Sequence, residues 1–271
     1  MNSRIGIDYL SVFDLPPLDY VELVARLGCK GFSICLSPMG CKVHDYPSFS
    51  LRDDRVLRRD MVKAMSDHNV AMALGEGFAI RPGVNVEDYA MDLDVVCELG
   101  APRINSFCQE PDLGRAFDQL ATLAEMAGAR GLQSSIEFVP GLPIGDLETA
   151  MAALDHVGNA NCRLMVDAMH LIRSGATPAD LAAVDPARIG YAQICDVPLV
   201  SPLSYMGEAM YERRVPGEGD LPLLDIVAAL PRDIPLSLEV PRRSQALAGL
   251  TPFEYMEPCV RAAEALLSQL D

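Results

Sequence analysis

The sequence predicts an α/β fold, a closed (β/α)8 barrel, on three observations. Short β-type apolar runs alternate with longer amphipathic segments, a pattern that argues for a parallel sheet. The alternation repeats eight times, the number that closes such a barrel. No G-x-G-x-x-G follows the first strand, as a doubly wound open sheet for dinucleotides would require. At 271 residues the chain suits one barrel, so a single domain over 1–271 is expected.

The elements follow in order. RIGIDYL (4–10) reads as a strand and LDYVELVARLG (18–28) as a helix stopped by its final glycine. GFSICLS (31–37) is the second strand. Helical spacing over 53–69 puts Val56, Met61, Ala64 and Met65 on one apolar side. VAMALGE (70–76) is strand three, and 85–100 is a helix. Then come PRINSFC (102–108), a helix over 112–130, LQSSIEFV (132–139), a helix over 146–157, and CRLMVD (162–167). A short helix near 178–184 leads to RIGYAQICD (188–196). DLPLLDIVAAL (220–230), IPLSLEVP (234–241) and a helix over 252–270 complete the series.

Composition narrows the function. Lysine plus arginine number 22 against 38 acids, a net charge of −16. Such a surface repels phosphate backbones and anionic lipid, so neither nucleic acid nor membrane is an expected partner. The eight cysteines include no CxxC and several lie in apolar runs, which fits a reducing cytoplasm. The N-terminus shows no basic n-region followed by an apolar run, so no signal peptide is expected.

In a barrel the C-terminal strand ends build the active site. There the apolar runs are broken by Glu137, Asp167, Gln193, Asp196 and Glu239, from strands five to eight. A lone acid in a strand is unfavourable unless compensated, and several at one mouth repel one another unless a cation sits among them. Separate salt bridges or helix caps would serve one or two of them, Asp167 above all. The oxygen set Glu137, Asp167, Gln193 and Glu239 suits a hard divalent ion, Mn²⁺ or Mg²⁺. No organic cofactor is expected. Between Val197 and Gly219 lie 23 residues without clear periodicity, placed to act as a lid after strand seven. Arg213 and Arg214 sit on it, where they could clamp a substrate. His44, Tyr46 and Glu76 lie at the predicted mouth as candidate substrate contacts, and Cys108, Gln109 and Glu110 end strand four. His68 and His156 fall at helix C-termini and stay outside the site.

The segment SSIEFVPGLPIGDLETAMAALDHVGNANCRLMVDAMHLIRSG, with YAQICD, RRVPGEGD and LSLEVP, resembles the xylose-isomerase-like TIM barrels. These include ketose 3-epimerases, hydroxypyruvate isomerase, inosose isomerase/dehydratase and 3-dehydroshikimate dehydratases. The resemblance covers the whole strand–helix order and is specific from about residue 132 onward. It implies that Glu137 and Glu239 are metal-binding acid/base groups and that Asp167 is the third ligand. Gln193 stands where the ketose 3-epimerases have His and where hydroxypyruvate isomerases and dehydroshikimate dehydratases have Gln. His170 would contact a substrate oxygen, and one of Arg213 and Arg214 would hold the substrate. The implied activity is isomerisation or epimerisation of a sugar or sugar-like hydroxyketone through an enediolate. The alternative on the same site is dehydration of a cyclic hydroxyketo acid. A homo-oligomer is the family expectation. Repair endonucleases of the endonuclease IV type share the barrel but need a histidine-rich trinuclear zinc site, and this chain has four histidines.

Overall fold

The computed structural model describes residues 4–270. The first half of the chain runs β1 (Ile5–Ile7), α1 (Pro17–Arg26), β2 (Gly31–Cys35), α2 (Arg55–His68), β3 (Ala71–Ile80), α3 (Ala90–Glu98), β4 (Arg103–Cys108) and α4 (Leu113–Gly128). It continues through β5 (Gln133–Glu137), α5 (Leu147–Val157), β6 (Cys162–Asp167), α6 (Ala168–Arg173), α7 (Pro178–Ala182) and β7 (Ile189–Ile194). The last elements are α8 (Tyr205–Tyr211), α9 (Leu223–Ala229), β8 (Leu236–Leu238), α10 (Arg243–Leu247) and α11 (Pro252–Leu267). Every strand pairs in parallel with its sequence neighbour, and β1 pairs with β8, so the sheet closes in the order β1 to β8. The expected barrel is present. No helix among the described residues is long and apolar enough to cross a membrane.

Local chemistry sets the element ends. Asp54, Asp112 and Asp146 accept backbone N–H bonds at the starts of α2, α4 and α5, and Thr177 and Thr251 form reciprocal capping boxes with Asp180 and Glu254. Asn69 and Gly158 end α2 and α5 in the left-handed region. Two expected boundaries differ. The first strand stops at Ile7, because Asp8 Oδ1 accepts the Leu10 N–H and turns Tyr9–Val12 into a 3-10 helix. The third strand runs on to Ile80. Its register to β4 shifts between Gly75 and Phe78, and Gly77 takes φ +99°, so a bulge carries the strand past the barrel mouth.

Side chains on a strand alternate between faces, so residues two apart share one. Leu74, Met165 and Tyr191 form a small apolar cluster of their own. Two residues later on the same strands come Glu76, Asp167 and Gln193. An apolar plug therefore lies beneath a polar layer at the C-terminal end, and it is this step that positions the site.

Candidate active site

A cavity of about 620 Å³ opens at that end of the barrel. Among its lining residues are Asp8, Glu76, Glu137, His170, Gln193, Arg213 and Glu239. The wall draws on strand ends around the barrel and on the β7–α9 connection.

The groups form a bonded network. Asn105 donates to Glu137 Oε2 at 2.7 Å and reaches Glu76 Oε2 at 3.4 Å. Gln193 Nε2 and Ser33 Oγ donate to Asp8 Oδ2, at 3.0 and 2.9 Å. Asp167 both caps and pairs: Oδ1 accepts the His170 N–H at 2.8 Å, and Oδ2 accepts Arg213 Nη1 at 2.5 Å. Arg213 Nη2 stands 2.7 Å from Glu239 Oε2, and its Nε donates to Ala209 O at 2.9 Å. His170 Nε2 is 3.5 Å from Glu137 Oε1, and His170 Nδ1 is 2.7 Å from the Tyr205 hydroxyl.

Electrostatics follow from burial. Asp8, Glu76, Glu137, Asp167 and Glu239 are five clustered carboxyls, all buried except the half-buried Glu76. Burial pushes Glu76 and Glu239 well above the usual carboxylate range, and it raises Asp8 as well. Burial would raise Asp167 too, but the Arg213 charge, His170 and their hydrogen bonds hold it at about 2. Arg213 stays protonated, because Asp167 and Glu239 outweigh its own desolvation. The Tyr205 phenol is raised by burial and keeps its proton.

Several sequence expectations are placed plainly by these contacts. Glu137, Gln193, Glu239, His170, Glu76 and Arg213 share one cavity, and Asp167 lies directly behind Arg213. Arg213 is not an exposed clamp; it is buried between two of the expected ligands. Arg214 points away, exposed, with Nη1 donating to Glu218 O at 3.2 Å. Backbone pairing separates the two: Arg213 N–H donates to Pro241 O, and Arg214 N–H to Asp196 O. His44 does not line the cavity; its ring packs 4.8 Å from Tyr46. Asp196 serves the fold, accepting N–H bonds from Val197, Gly217 and Leu221. The 197–219 segment holds the short helix α8, which carries Tyr205 and Ala209 to the site. Gln109 lines the cavity, whereas Glu110 is buried against Arg115. Sequence reasoning missed Asp8, Asn105 and Tyr205. Asp8 follows an apolar run just as Asp167 does, and that signal could have found it.

The residues can be tested against a divalent cation. Among the described residues, no three His, Cys, Asp or Glu side chains are gathered as a metal cage. Arg213 bridges Asp167 and Glu239, and the fourth expected ligand is an amide. The donor chemistry nevertheless fits. The buried Gln193 Oε1 has no hydrogen-bond partner, its Nε2 being spent on Asp8. Glu76 Oε1 and Asn105 Oδ1 are likewise without partners. The five clustered carboxyls have one buried guanidinium, Arg213, and one imidazole, His170, among them, so charge and free oxygens both favour a hard cation.

Comparison with known proteins agrees with the barrel fold. The profile of xylose isomerase-like TIM barrels matches residues 21–259. Over 201 residues, 67% of the chain, the sequence is 28% identical to a 3-dehydroshikimate dehydratase of Pseudomonas aeruginosa. The aligned part is 31% of that protein, so the chain spans about a third of the relative it matches. The crystal structure of the IOLI protein with a bound zinc atom superposes with a TM-score of 0.81 at 17% identity, covering 98% of both chains. D-psicose 3-epimerase with D-tagatose, from Clostridium cellulolyticum H10, gives 0.69 at 14% identity, covering 98% of this chain and 97% of that one. At these identities the two structures speak for the fold.

Proposed function

The chain belongs to the xylose isomerase-like TIM barrel family, and on that footing we propose that it is a divalent-metal-dependent isomerase or epimerase of a sugar-like hydroxyketone. The observation that carries this reading is the pair Glu137 and Glu239, buried at one cavity with an unpartnered Gln193 oxygen and His170. Glu137, Asp167, Gln193 and Glu239 would hold Mn²⁺ or Mg²⁺. When bound, such an ion supplies a positive charge that stabilises the oxyanion developing beside the reacting carbon.

The chain's own groups would do the rest. Glu137, held by Asn105, takes a proton from the carbon next to the carbonyl. Glu239, oriented by Arg213, returns one at the other face or the neighbouring carbon. The Tyr205 hydroxyl and His170 Nδ1 share a hydrogen bond; with the hydroxyl as donor, the imidazole proton is on Nε2, directed to the Glu137 side. His170 would thus serve a substrate oxygen as donor. The surrounding apolar wall of Leu10, Phe78, Phe107 and Leu142 limits water at the reacting carbon.

A second reading is dehydration of a cyclic hydroxyketo acid. The relative at 28% identity is a 3-dehydroshikimate dehydratase, and Gln193 is compatible with that reaction. Incubation with ketoses, inososes and 3-dehydroshikimate, with Mn²⁺ or Mg²⁺ in D₂O, separates the two. Deuterium uptake without loss of water supports isomerisation or epimerisation. A new conjugated absorbance supports dehydration. Neither signal on any member of the panel would sink both.

A further inference from the structure

We propose that Arg81 is a specificity-determining residue that takes an oxyanion group, a carboxylate or a phosphate, at the far end of the substrate; this rests on reading the barrel cavity as the substrate site.

Five carboxylates line the cavity: Asp8, Glu76, Asp92, Glu137 and Glu239. Two arginines line it, Arg81 and Arg213. Arg213 is consumed by Asp167 and Glu239. His170, the remaining basic group, is occupied by Tyr205 and the neighbouring acids. Asp92 is paired with Arg52. Among the described residues that line the cavity, Arg81 alone presents a cationic side chain with no hydrogen bond and no ion pair. Arg81 is exposed at the mouth, so its guanidinium is solvated, and no carboxylate among the described residues pairs with it; it is free to take an anionic group of a molecule that enters the cavity.

Its placement is built in two steps. The bulge at Gly75–Phe78 and the left-handed Gly77 extend β3 beyond the mouth, so Arg81 stands five residues past Glu76. At roughly 3.3 Å per residue that step is at most about 16 Å along the strand. One end of a bound molecule can meet Arg81 while the other lies among Glu137, His170 and Glu239. The second step is a staple on the backbone. Arg115, itself paired with Glu110 at 2.5 Å, donates to Arg81 O at 3.4 Å and to Val84 O at 2.7 Å. The strand end is thereby fixed and the Arg81 side chain is left free. Gln109 lines the same cavity, its side-chain amide unbonded and its backbone N–H on Ile80 O at 2.7 Å. A planar guanidinium with an adjacent amide suits a carboxylate or phosphate, and offers a neutral polyol less.

The test is a binding comparison that does not depend on turnover. Calorimetric titrations of the Mn²⁺-loaded protein would use two matched pairs: shikimate against myo-inositol, and fructose 6-phosphate against fructose. The wild type should bind one anionic member about ten- to a hundredfold more tightly than its neutral counterpart. Which pair shows the preference identifies carboxylate or phosphate. Arg81→Gln should abolish the preference with an unchanged melting temperature, and Arg81→Lys should keep part of it. Equal affinity within both pairs, no binding of either anion, or a preference that survives Arg81→Gln overturns the proposal. A preference that depends on Arg81 in a protein that turns nothing over keeps the anion site and removes the proposed reaction. Turnover of neutral ketoses indifferent to Arg81→Gln does the reverse.

Discussion

Among single residues, each acid at the mouth has a different set of partners, and the partners decide what its replacement does. Glu76 is held near its neighbours by the fold; one oxygen lacks any partner, and the carboxyl is served by a 3.4 Å contact from Asn105 and by the Ser33 hydroxyl. Its burial beside Asp8 and Glu137 is unfavourable in the metal-free protein. We expect Glu76→Gln to raise the stability of the chelator-treated protein by about 1 kcal/mol, read by urea unfolding. A loss of stability would show that Glu76 has a compensating partner. Tyr205 should behave oppositely to a packing residue. Tyr205→Phe removes the hydrogen bond that orients the His170 ring at Nδ1, so kcat should fall about tenfold while Mn²⁺ affinity and KM hold. An unchanged kcat would remove its positioning role. Glu137, Asp167, Gln193 and Glu239 were legible in the sequence because each breaks an apolar strand near its end. Asp8 carries the same signal but was hidden, because RIGIDYL reads as one strand running on to Leu10, whereas β1 ends at Ile7 and Asp8 begins a turn. Arg213 and Arg214 were indistinguishable as a pair, because their opposite directions are set by backbone partners at Pro241 and Asp196, remote in sequence.

The element that departs most from its pattern is the connection between β7 and α9. Its lack of clear periodicity concealed α8, a seven-residue helix that brings Tyr205 to His170 and Ala209 O to Arg213. The segment is fastened from below by Asp196, whose carboxylate accepts three backbone N–H groups. Gly219 passes so close that an added Cβ would lie 2.2 Å from Asp196 Oδ1. The PGEG run is therefore a packing requirement as well as a turn. Asp196→Ala should destabilise the protein by roughly 3 kcal/mol, because it leaves buried N–H groups unpaired, and should weaken turnover by loosening Arg213. A calorimetric melt indistinguishable from wild type would show that this carboxylate does not fasten the segment. β3 also escaped its expected end, since the bulge at Gly77 depends on backbone geometry that alternation does not encode.

At the scale of the whole molecule, the eightfold alternation was sufficient to identify the barrel, and closure put strand ends far apart in sequence around one cavity. That closure concentrates acids inside a chain that already carries a net charge of −16. Asp8, Glu76 and Glu239 ionise at higher pH in the fold than in the unfolded chain, so the cost of their burial is absent at low pH and grows as pH rises through their raised values. Asp167 works the other way: its contribution is present above pH 3.8 and is lost as pH falls toward about 2. The chelator-treated protein should therefore melt at a lower temperature at pH 8 than at pH 6, and Mn²⁺ should narrow the difference. A melting temperature that rises between those values would speak against a strained acid cluster.

We propose that four strand ends form a cation site which His170 serves without ligating. Equilibrium dialysis with Mn²⁺ tests it most directly. We expect the wild type to bind one ion per chain, Asp167→Asn and Glu239→Gln to lose it, and His170→Asn to retain it while losing turnover. A wild type that binds no Mn²⁺, or a His170→Asn variant that loses the ion, would contradict the assignment.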